Sequence, residues 1–532
     1  MIRISELKLP LGREENILPK KAAGVLGIPE GKIKHWRIFK KSLDARKKES
    51  IHYTYILDVQ VENEKRILQS NKNRQVSRTP DLQYRFPEGK CTMAQRPIVV
   101  GFGPGGMFAG LLLAQMGLSP IILERGGHMD SRKEAVEKFW TDGKLDLDNN
   151  VQFGEGGAGT FSDGKLTTRI KDKRCRKVLE EFVEAGAPAD ILYDSKPHIG
   201  TDLLCGIVKK IREKIISLGG EVRFFSKVTD VILEDGKVTA VEVNGTEKIE
   251  TTDLILALGH SARDTLQMLY EKGIPMEQKP FAMGVRIEHP QDMINKAQYG
   301  EMAHRLPAAD YHLTYTTKKQ RGVYTFCMCP GGYVVAAASE EGRLAVNGMS
   351  QHKRNGKNAN SALLVQVFPE DFPSDSVLSG MEFQRQLEEK AFLAGGGGYG
   401  APIQTVGDFL QQTGNTLGEV EPSHRPKVAF ANMDDIFPSF MTEAMREAIP
   451  AMGKRLKGFD RKDAILTAVE SRSSSPVRIL RNGKGQSLLA EGLYPAGEGA
   501  GYAGGIVSAA VDGIAAAEYV FQRNCEKISD GN

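Results

Sequence analysis

A glycine triplet near residue 100 has the spacing of a phosphate-binding turn. The sequence RPIVVGFGPGGMFAG contains Gly-x-Gly-x-x-Gly as Gly101, Gly103 and Gly106, after a strand pattern and at the start of a helix pattern. The first glycine permits a tight turn, the second lets the backbone approach a pyrophosphate, and the third allows close helix–strand contact. Pro104 and Gly105 complete the turn. The first amides of such a helix, aided by its dipole, point at the phosphates.

An acidic residue follows at the distance that dinucleotide binding requires. Glu124 lies 23 residues after Gly101, at the end of the second predicted strand, and Arg125 comes next. A carboxylate there accepts hydrogen bonds from both ribose hydroxyls of an adenosine and disfavours a 2′-phosphate. The turn, the helix and the acid therefore predict a dinucleotide site, but they fit NAD and FAD equally well.

Other stretches of the chain resemble one group of flavoproteins. They read FGEGGAGTFSDGKL, LALGHSARDT, FAMGVRIEHP, FCMCPGGYVV, NGMS, SSPVRI and YPAGEGAGYAGGI. They look like the bacterial group described as uncharacterised FAD-dependent (NAD(FAD)-utilising) dehydrogenases. That group falls within the two-dinucleotide-binding-fold superfamily, which includes glutathione reductase-like enzymes. The resemblance covers nearly the whole chain and implies FAD, bound non-covalently, as the cofactor.

The resemblance implies further contacts to FAD. The strand EVRFFSKV matches one whose main chain contacts adenine, at Val228, and LALG matches an alanine-threonine-glycine strand that ends here at Gly259, with Leu258 replacing the threonine. The segment GLYPAGEG matches the second flavin motif, in which an acid binds the ribityl chain. Gly497 and Glu498 occupy it, the acid being one methylene longer than the usual aspartate.

The same resemblance implies that a helix beginning at Gly504 and Gly505 points at the flavin pyrimidine carbonyl. Its positive end would stabilise the negative charge that reduction places on the ring.

The loop FGEGGAGTFSDGK, residues 153–165, has two interpretations. Its five glycines favour close approach to the flavin and diphosphate, at Gly157, with Ser162 or Lys165 as a donor. The alternative is a flexible surface loop, and we favour the contact.

Candidate catalytic residues are few. A pocket for an anionic substrate or a nicotinamide phosphate needs cations or imidazoles, although most arginines are ordinary surface charges. The candidates are Arg286, His352, Arg354 and Arg472, and Arg478 is a further one. His198 and His260 flank cofactor segments and could tune the ring, but a structural histidine is the default.

The cysteines predict no disulfide reductase mechanism. Cys327 and Cys329 form Cys-x-Cys, and on a strand both sulfurs would point to one face, where a bond between them would be strained. We expect paired buried thiols and keep a redox pair as the minor alternative. The six cysteines lack the spacing of a disulfide framework or a metal site, which favours a reducing compartment and no bound metal.

The order of predicted elements favours an α/β fold. We expect a small basic α+β domain over residues 1–93 and a Rossmann-like FAD-binding domain split between 94–280 and 471–525, with a β-meander insert. An α+β substrate or cap domain should occupy 281–470. No second Gly-x-Gly-x-x-Gly marks an NAD(P) domain, so NAD(P)H, if it is a co-substrate, would bind at the flavin face.

Charge and hydropathy bear on location and partners. The N-terminus carries charges from residue 3, and the charge-free stretch 97–123 is interrupted by glycines, so we expect a cytoplasmic protein without a membrane span. Residues 1–93 hold 20 Lys and Arg against 11 Asp and Glu, and the remainder 51 against 56. The basic segment KIKHWRIFKKSLDARKK, residues 32–48, fits either a polyanion surface or a face docked on the acidic body. We favour docking, so nucleic acid is disfavoured but left open as a partner.

These features favour an FAD-dependent oxidoreductase that transfers hydride between the flavin and a small molecule. Two alternatives stay open: a tRNA-modifying flavoenzyme with the N-terminal domain as its RNA handle, and a flavin-bound sensing or scaffold protein. The sequence leaves the substrate, the electron donor and acceptor, and the oligomeric state open.

Overall fold

The N-terminal residues form a four-stranded antiparallel sheet covered by a helix. The computed structural model describes residues 1–411 and 416–526. Its first elements are β1 (Ile2–Pro10), α1 (Leu18–Leu26), β2 (Ile33–Asp44), β3 (His52–Val61), α2 (Glu64–Ser70) and β4 (Val76–Arg78). The strand order is β2-β3-β1-β4. Leu18, Ala22 and Leu26, one face of α1, are buried against the sheet because they recur at helical spacing.

The basic segment 32–48 lies mainly on the edge strand β2. Five of its eight Lys and Arg side chains pair with carboxylates inside the same module, at Glu62, Asp58, Glu15 and Asp44. The strand edge itself is used, because the Lys41 amide donates to Tyr193 O at 2.7 Å and the Ser195 amide donates to Lys41 O at 2.9 Å. The module thus docks on the body through this edge, which covers part of an otherwise open strand.

The next elements build a parallel sheet, and a later part of the chain completes it. They are β5 (Lys90–Cys91), β6 (Ile98–Val100), α3 (Pro104–Gln115), β7 (Ile121–Leu123), α4 (Met129–Asp142), α5 (Arg174–Glu184), α6 (Thr201–Ser217), β8 (Glu221–Arg223), β9 (Val228–Glu234), β10 (Lys237–Val243), β11 (Glu247–Glu250), β12 (Leu254–Leu256) and α7 (Arg263–Glu271).

A third group forms the layer that faces this sheet. It contains β13 (Met276–Gln278), β14 (Phe281–Pro290), α8 (Gln291–Tyr299), β15 (Thr314–Thr316), β16 (Gly322–Cys329), β17 (Tyr333–Ala336), β18 (Val346–Met349), β19 (Asn358–Val367), α9 (Ser379–Ala394), β20 (Ala401–Thr405), α10 (Val406–Gln411), β21 (Val428–Phe430), α11 (Met433–Ile436), α12 (Ser439–Gly453), β22 (Ile465–Glu470) and β23 (Val477–Ile479). Seven of these strands form a mixed sheet in the order β15-β16-β19-β14-β22-β20-β21.

The chain then returns to the parallel sheet with β24 (Leu493–Pro495) and α13 (Ile506–Asn524), and it ends in β25 (Cys525–Glu526). The order of the parallel sheet is β24-β12-β6-β7-β8. Strand β24 therefore lies beside β12, which precedes it by more than 200 residues in the sequence. Helices α3, α5, α6 and α13 pack on one face, and α7 with the sheet β11-β10-β9 packs on the other. The architecture is therefore mixed α/β, with a parallel sheet built from two distant parts of the chain and a separate antiparallel sheet β11-β10-β9.

The charge-free stretch 97–123 forms β6, α3 and β7. Within residues 1–411 and 416–526, no helix has the length and apolar character needed to cross a bilayer.

One cysteine pairing was not predicted. Cys91 and Cys525 are joined by a disulfide bond across the two-stranded β5–β25 ladder. The cysteine spacing gave no sign of it, because the pair is 434 residues apart in sequence. It ties the segment before the parallel sheet to the end of α13.

The glycine turn at 101–106 is as tight as the motif predicts. Gly101 has φ +96°, and a Cβ there would lie 2.6 Å from Ala257 O. A Cβ on Gly106 would lie 1.9 Å from Gly101 O. A side chain at either position would therefore separate α3 from β6 and β12.

Gly106→Ala is expected to lower the free energy of unfolding by about 1–3 kcal/mol, because the added methyl group must displace the Gly101 carbonyl. The matched control is Gly206→Ala in α6, where the position is exposed and an added Cβ meets nothing within 4 Å. That control should stabilise by up to about 1 kcal/mol, since alanine is the better helix former. Urea titrations of both variants check this, and equal stabilities would contradict the steric role of Gly106.

Candidate functional site

A cavity of about 950 Å³ lies at the carboxyl ends of four parallel strands. It is bounded by the residues that directly follow β6, β7, β12 and β24, and on its far side by β15 and β16. Ligands of open α/β sheets bind at this edge, because loops and helix N-termini converge there.

Fifteen of the sixteen residues predicted to contact the cofactor line this cavity. They are Gly101, Gly103, Pro104, Gly105, Glu124, Arg125, Gly157, Ser162, Lys165, Val228, Gly259, Gly497, Glu498, Gly504 and Gly505. Gly106 does not line it, because it packs on the backbone of Gly101. The grouping brings together residues separated by almost the whole chain, and the contact of each with a cofactor stays a prediction.

The two glycine motifs meet directly. A Cβ on Gly105 would lie 3.4 Å from Ala509 O and 3.8 Å from Gly497 Cα. Both α3 and α13 begin at the cavity, with Gly103 and Gly505 as their N-caps and no side chain capping either helix. Two positive helix ends therefore face one cavity, an arrangement suited to an anionic or electron-accepting ligand.

The loop 153–165 packs inward. Residues 153–156 are buried, and Gly157 is partly exposed. A Cβ on Gly157 would lie 2.8 Å from Gly103 Cα. The alternative of a flexible surface loop is therefore wrong for this part. The Ser162 hydroxyl donates to Gly159 O at 2.6 Å and accepts from Gly164 N at 3.0 Å, so the loop uses this group to hold its own shape.

The Glu124 carboxylate is fixed by backbone amides. Oε1 accepts from Gly126 N and Gly154 N, both at 2.9 Å, and Oε2 accepts from Phe102 N at 2.8 Å. A carboxylate has about four acceptor positions, so these three bonds leave room for a ligand hydroxyl. Arg125 lies with its guanidinium 4.4 Å from the Phe153 ring centroid.

Glu498 faces a histidine. Its two carboxylate oxygens lie 2.5 and 2.6 Å from Nδ1 of His260, and the His260 amide donates to it at 3.3 Å. Burial alone would raise the pKa of Glu498, but His260 and the Lys279 charge hold it below its usual range. His260 lines the cavity, and its Nε2 is buried without a hydrogen-bond partner in the described chain. Both residues of the pair line the cavity, and this ring atom is the polar atom of His260 that the described chain leaves without a partner.

Of the four catalytic candidates, Arg472 lines the cavity. Its guanidinium donates to Glu388 at 2.8 and 3.1 Å and to the Ser261 hydroxyl at 2.9 Å. Glu388 is fully buried and also accepts two bonds of 2.9 Å from Arg263. This network positions Arg472 and Ser261 at the wall.

The other three candidates lie behind the wall. Arg286 is fully buried and donates to Asn360 Oδ1, and Arg354 donates to Asp163. His352 shares Nδ1 with Ile199 O, and its ring stacks on His198 at 5.2 Å. Any role of these three in the chemistry would act through a neighbour.

The cysteine pair differs from the expected paired buried thiols. A β-bulge interrupts the register of β16 between Phe326 and Cys329, so the two sulfurs occupy different environments. Cys327 is partly exposed and lines the cavity, whereas Cys329 is buried behind it. Both are free thiols.

Sequence reasoning missed the far wall of the cavity. Tyr315, Tyr324 and Phe326 come from β15 and β16, and Glu470 comes from the end of β22. The strand YTFCMC was recognisable, but its position beside the cavity depends on pairing with β19, over 30 residues later. No local pattern encodes that pairing.

Glu388→Gln is expected to lower the free energy of unfolding at pH 7 by about 3–5 kcal/mol, because it removes the fully buried carboxylate that two guanidinium groups share and leaves them with Glu340. Burial alone would raise the pKa of Glu388, but Arg263 and Arg472 hold it well below its usual range. The carboxylate's stabilisation is thus complete above the unfolded-state pKa of about 4.3 and is lost as the pH falls below it.

Thermal unfolding between pH 7 and pH 3 measures this effect. The difference in unfolding temperature between wild type and Glu388→Gln should become smaller below about pH 4. Glu389→Gln, at the exposed neighbouring position, is the matched control and should leave stability nearly unchanged. A Glu388→Gln variant as stable as this control would contradict the network's role.

Two family models match parts of the chain. Residues 280–473 match the family described as "FAD-dependent protein, C-terminal domain-like", and residues 1–60 match a domain of unknown function. Among solved structures, a mutant of the halogenase PltM in complex with FAD is 12% identical, covering 80% of this chain and 68% of that chain, with TM-score 0.38. Glycine oxidase from Bacillus cereus is 11% identical, covering 81% and 96%, with TM-score 0.30.

An uncharacterized protein of Clostridium beijerinckii is 52% identical over 527 residues, which cover 98% of this chain and 99% of the relative. At this identity and coverage the two proteins share one architecture from end to end. The chain belongs to the same family as this clostridial protein.

Proposed function

We propose that the protein is an FAD-dependent oxidoreductase that transfers hydride between the flavin and a small molecule. The observation that carries this proposal is the meeting of two distant glycine motifs at one cavity, with the N-termini of α3 and α13 both directed at it. A nicotinamide dinucleotide needs only the first motif. The second helix end supplies positive potential where a flavin gains electrons, so the pair favours FAD.

The residues present fit FAD. Gly101, Gly103 and the first amides of α3 are free of side chains that would block a diphosphate, and Glu124 offers an acceptor for the adenosine ribose. His260 Nε2 is an orphaned buried polar atom at the second motif. When bound, FAD supplies the hydride chemistry.

The chain's own side chains have separate tasks in this proposal. His260 holds a proton on Nδ1 against Glu498 and presents Nε2 to the cofactor, so it takes the contact that sequence comparison had assigned to Glu498. Arg472, fixed by Glu388, provides a cation at the wall. The aromatic residues of β15 and β16 exclude water from the reacting groups.

NADH or NADPH is proposed as the electron donor, bound at the flavin face. Mixing the reconstituted protein anaerobically with each cofactor in a stopped-flow spectrometer should bleach the visible absorption band of the oxidised flavin. If neither cofactor nor a substrate panel bleaches it, the sensing or scaffold alternative replaces the oxidoreductase.

Glu124→Ala is expected to weaken FAD binding by about tenfold or more, because one charged hydrogen-bond partner of the ribose is lost. Glu134→Gln, exposed on α4, is the matched control and should bind FAD normally. Equilibrium dialysis against FAD, followed by the visible spectrum, measures both. A wild-type protein without flavin absorbance after reconstitution would overturn the proposed function, and unchanged retention in Glu124→Ala would overturn the ribose assignment alone.

A further inference from the structure

Cys327 is held out of the regular strand and toward the cavity. It sits at the bulge of β16 with φ +44°, a left-handed backbone that non-glycine residues adopt at a cost on the order of 1 kcal/mol. Bulges next to active sites re-aim side chains in this way. The thiol lines the cavity that is described above and is partly exposed to it.

Cations lie on two sides of this cysteine. Lys165, from the glycine-rich loop, donates to Met328 O, the next residue on the strand, and also lines the cavity. Arg286, from β14 below, donates to Cys327 O at 3.0 Å and lies 3.5 Å from the Cys329 sulfur. Asp163 is the nearest anion, but Lys165 and Arg354 already neutralise it. The positive charges therefore favour the thiolate form of Cys327.

The second thiol strengthens this effect. The Cys329 thiol, which donates to the Cys327 carbonyl oxygen at 3.2 Å, lowers the pKa of Cys327 to about 6 together with the charges of Lys165 and Arg286, against the opposing effects of burial and Asp163. The pKa of Cys329 moves the other way, because it is the donor of the pair and is buried. The two shifts favour the thiolate on Cys327, the sulfur that lines the cavity.

Glu470 is an independent sign of a ligand at this place. It lines the same cavity at 4% exposure, and its Oε2 has no hydrogen-bond partner in the described chain. The nearest cation is Arg286 Nη1 at 3.6 Å, which is too far for a hydrogen bond. Burial raises the pKa of Glu470 to about 7, so near neutral pH it can carry a proton at the wall of the cavity that Cys327 also lines.

We propose that Cys327 is a nucleophilic thiolate of the substrate site and that this site takes electrophilic small molecules of the α,β-unsaturated carbonyl class. The sulfur supplies the electron pair of a new bond to the β carbon, and the carbon–carbon double-bond pair moves toward the carbonyl. The α carbon then takes the proton that Glu470 carries. No electrons leave the pair of reactants, and reversal releases both unchanged.

The substrate class follows from the surroundings. A thiolate prefers soft carbon electrophiles, and the adjoining wall of Tyr315, Tyr324 and Phe326 suits a compact conjugated molecule. Such molecules also accept hydride at the carbon that the thiolate would attack. The inference relies on the proposed function only for the identification of the cavity as the substrate site, because addition to the thiol needs no flavin.

The first test is labelling of the full-length protein with iodoacetamide, with and without FAD, followed by peptide mass mapping. Cys175 is the internal control, because it is also partly exposed but has a pKa raised by burial. At pH 7 Cys327 should react at least about tenfold faster than Cys175, and its rate should fall to half near pH 6. Equal rates at the two cysteines would overturn the proposal.

Variants test the origin of the reactivity. Lys165→Met should raise the midpoint of the Cys327 rate profile by about one pH unit, since an adjacent opposite charge is lost. Lys171→Met, exposed on the following segment, is the matched control and should leave it unchanged. If Lys165→Met does not fold, the wild-type mapping above still decides the matter, since it needs no variant.

The second test uses 2-cyclohexen-1-one as the probe. Preincubation with this enone should slow iodoacetamide labelling of Cys327 about tenfold while Cys175 reacts as before. If Cys327 is labelled as fast after preincubation with the enone as without it, the proposed substrate class is wrong. The wild-type protein without FAD gives the same readout, so a failure of FAD binding is distinguishable from a failure of this proposal.

Discussion

The close contact between helices α3 and α13 is the constraint on which the site depends. A Cβ on Gly513 would lie 2.0 Å from Gly105 O, so the two helices touch through bare backbone. This approach sets the turn at 101–106 against the segment 497–505 and directs both helix N-termini to the same cavity. A methyl group at the contact would push the two helices apart and displace the second motif, so the small residues here are a requirement of the site's geometry.

Buried charge organises the opposite wall. Arg263, Arg472, Glu340 and Glu388 form one network at the junction of the parallel and the seven-stranded sheets, and its anions offset the desolvation of its cations only as a set. A second set, around Asp163, ties Lys165 to Arg354 and the Ser350 hydroxyl. Each network crosses between the two layers. The layers are therefore held in register by interactions that a shift of either one would break.

The phosphate end of the cavity could be predicted from sequence, and the substrate end could not. The turn at Gly101, the acid at Glu124 and the glycines at 497–505 are local patterns, because each is defined by residue types at a short spacing along the chain. The bulge at Cys327, the position of Glu470 and the Cys91–Cys525 bond depend on strand pairings across long sequence separations. The pairing of His260 with Glu498 had a partial signal, since both follow strand ends, but the choice of Nε2 as the free atom required the fold.

This asymmetry has a physical consequence for how such a cavity can change. Contacts made by backbone depend on glycine positions and tolerate few substitutions, whereas the far wall is made by side chains of an antiparallel ribbon, β15–β16, on the edge of its sheet. An edge ribbon can change its residues without disturbing β14, the buried centre of that sheet. The reactive groups Cys327 and Glu470 lie on β16 and β22, which flank the central strands β19 and β14. Arg286, on β14, contacts both residues, since it donates to the Cys327 carbonyl oxygen and lies 3.6 Å from the Glu470 carboxylate. Substitutions in the ribbon would change the shape of the pocket and leave these two contacts in place.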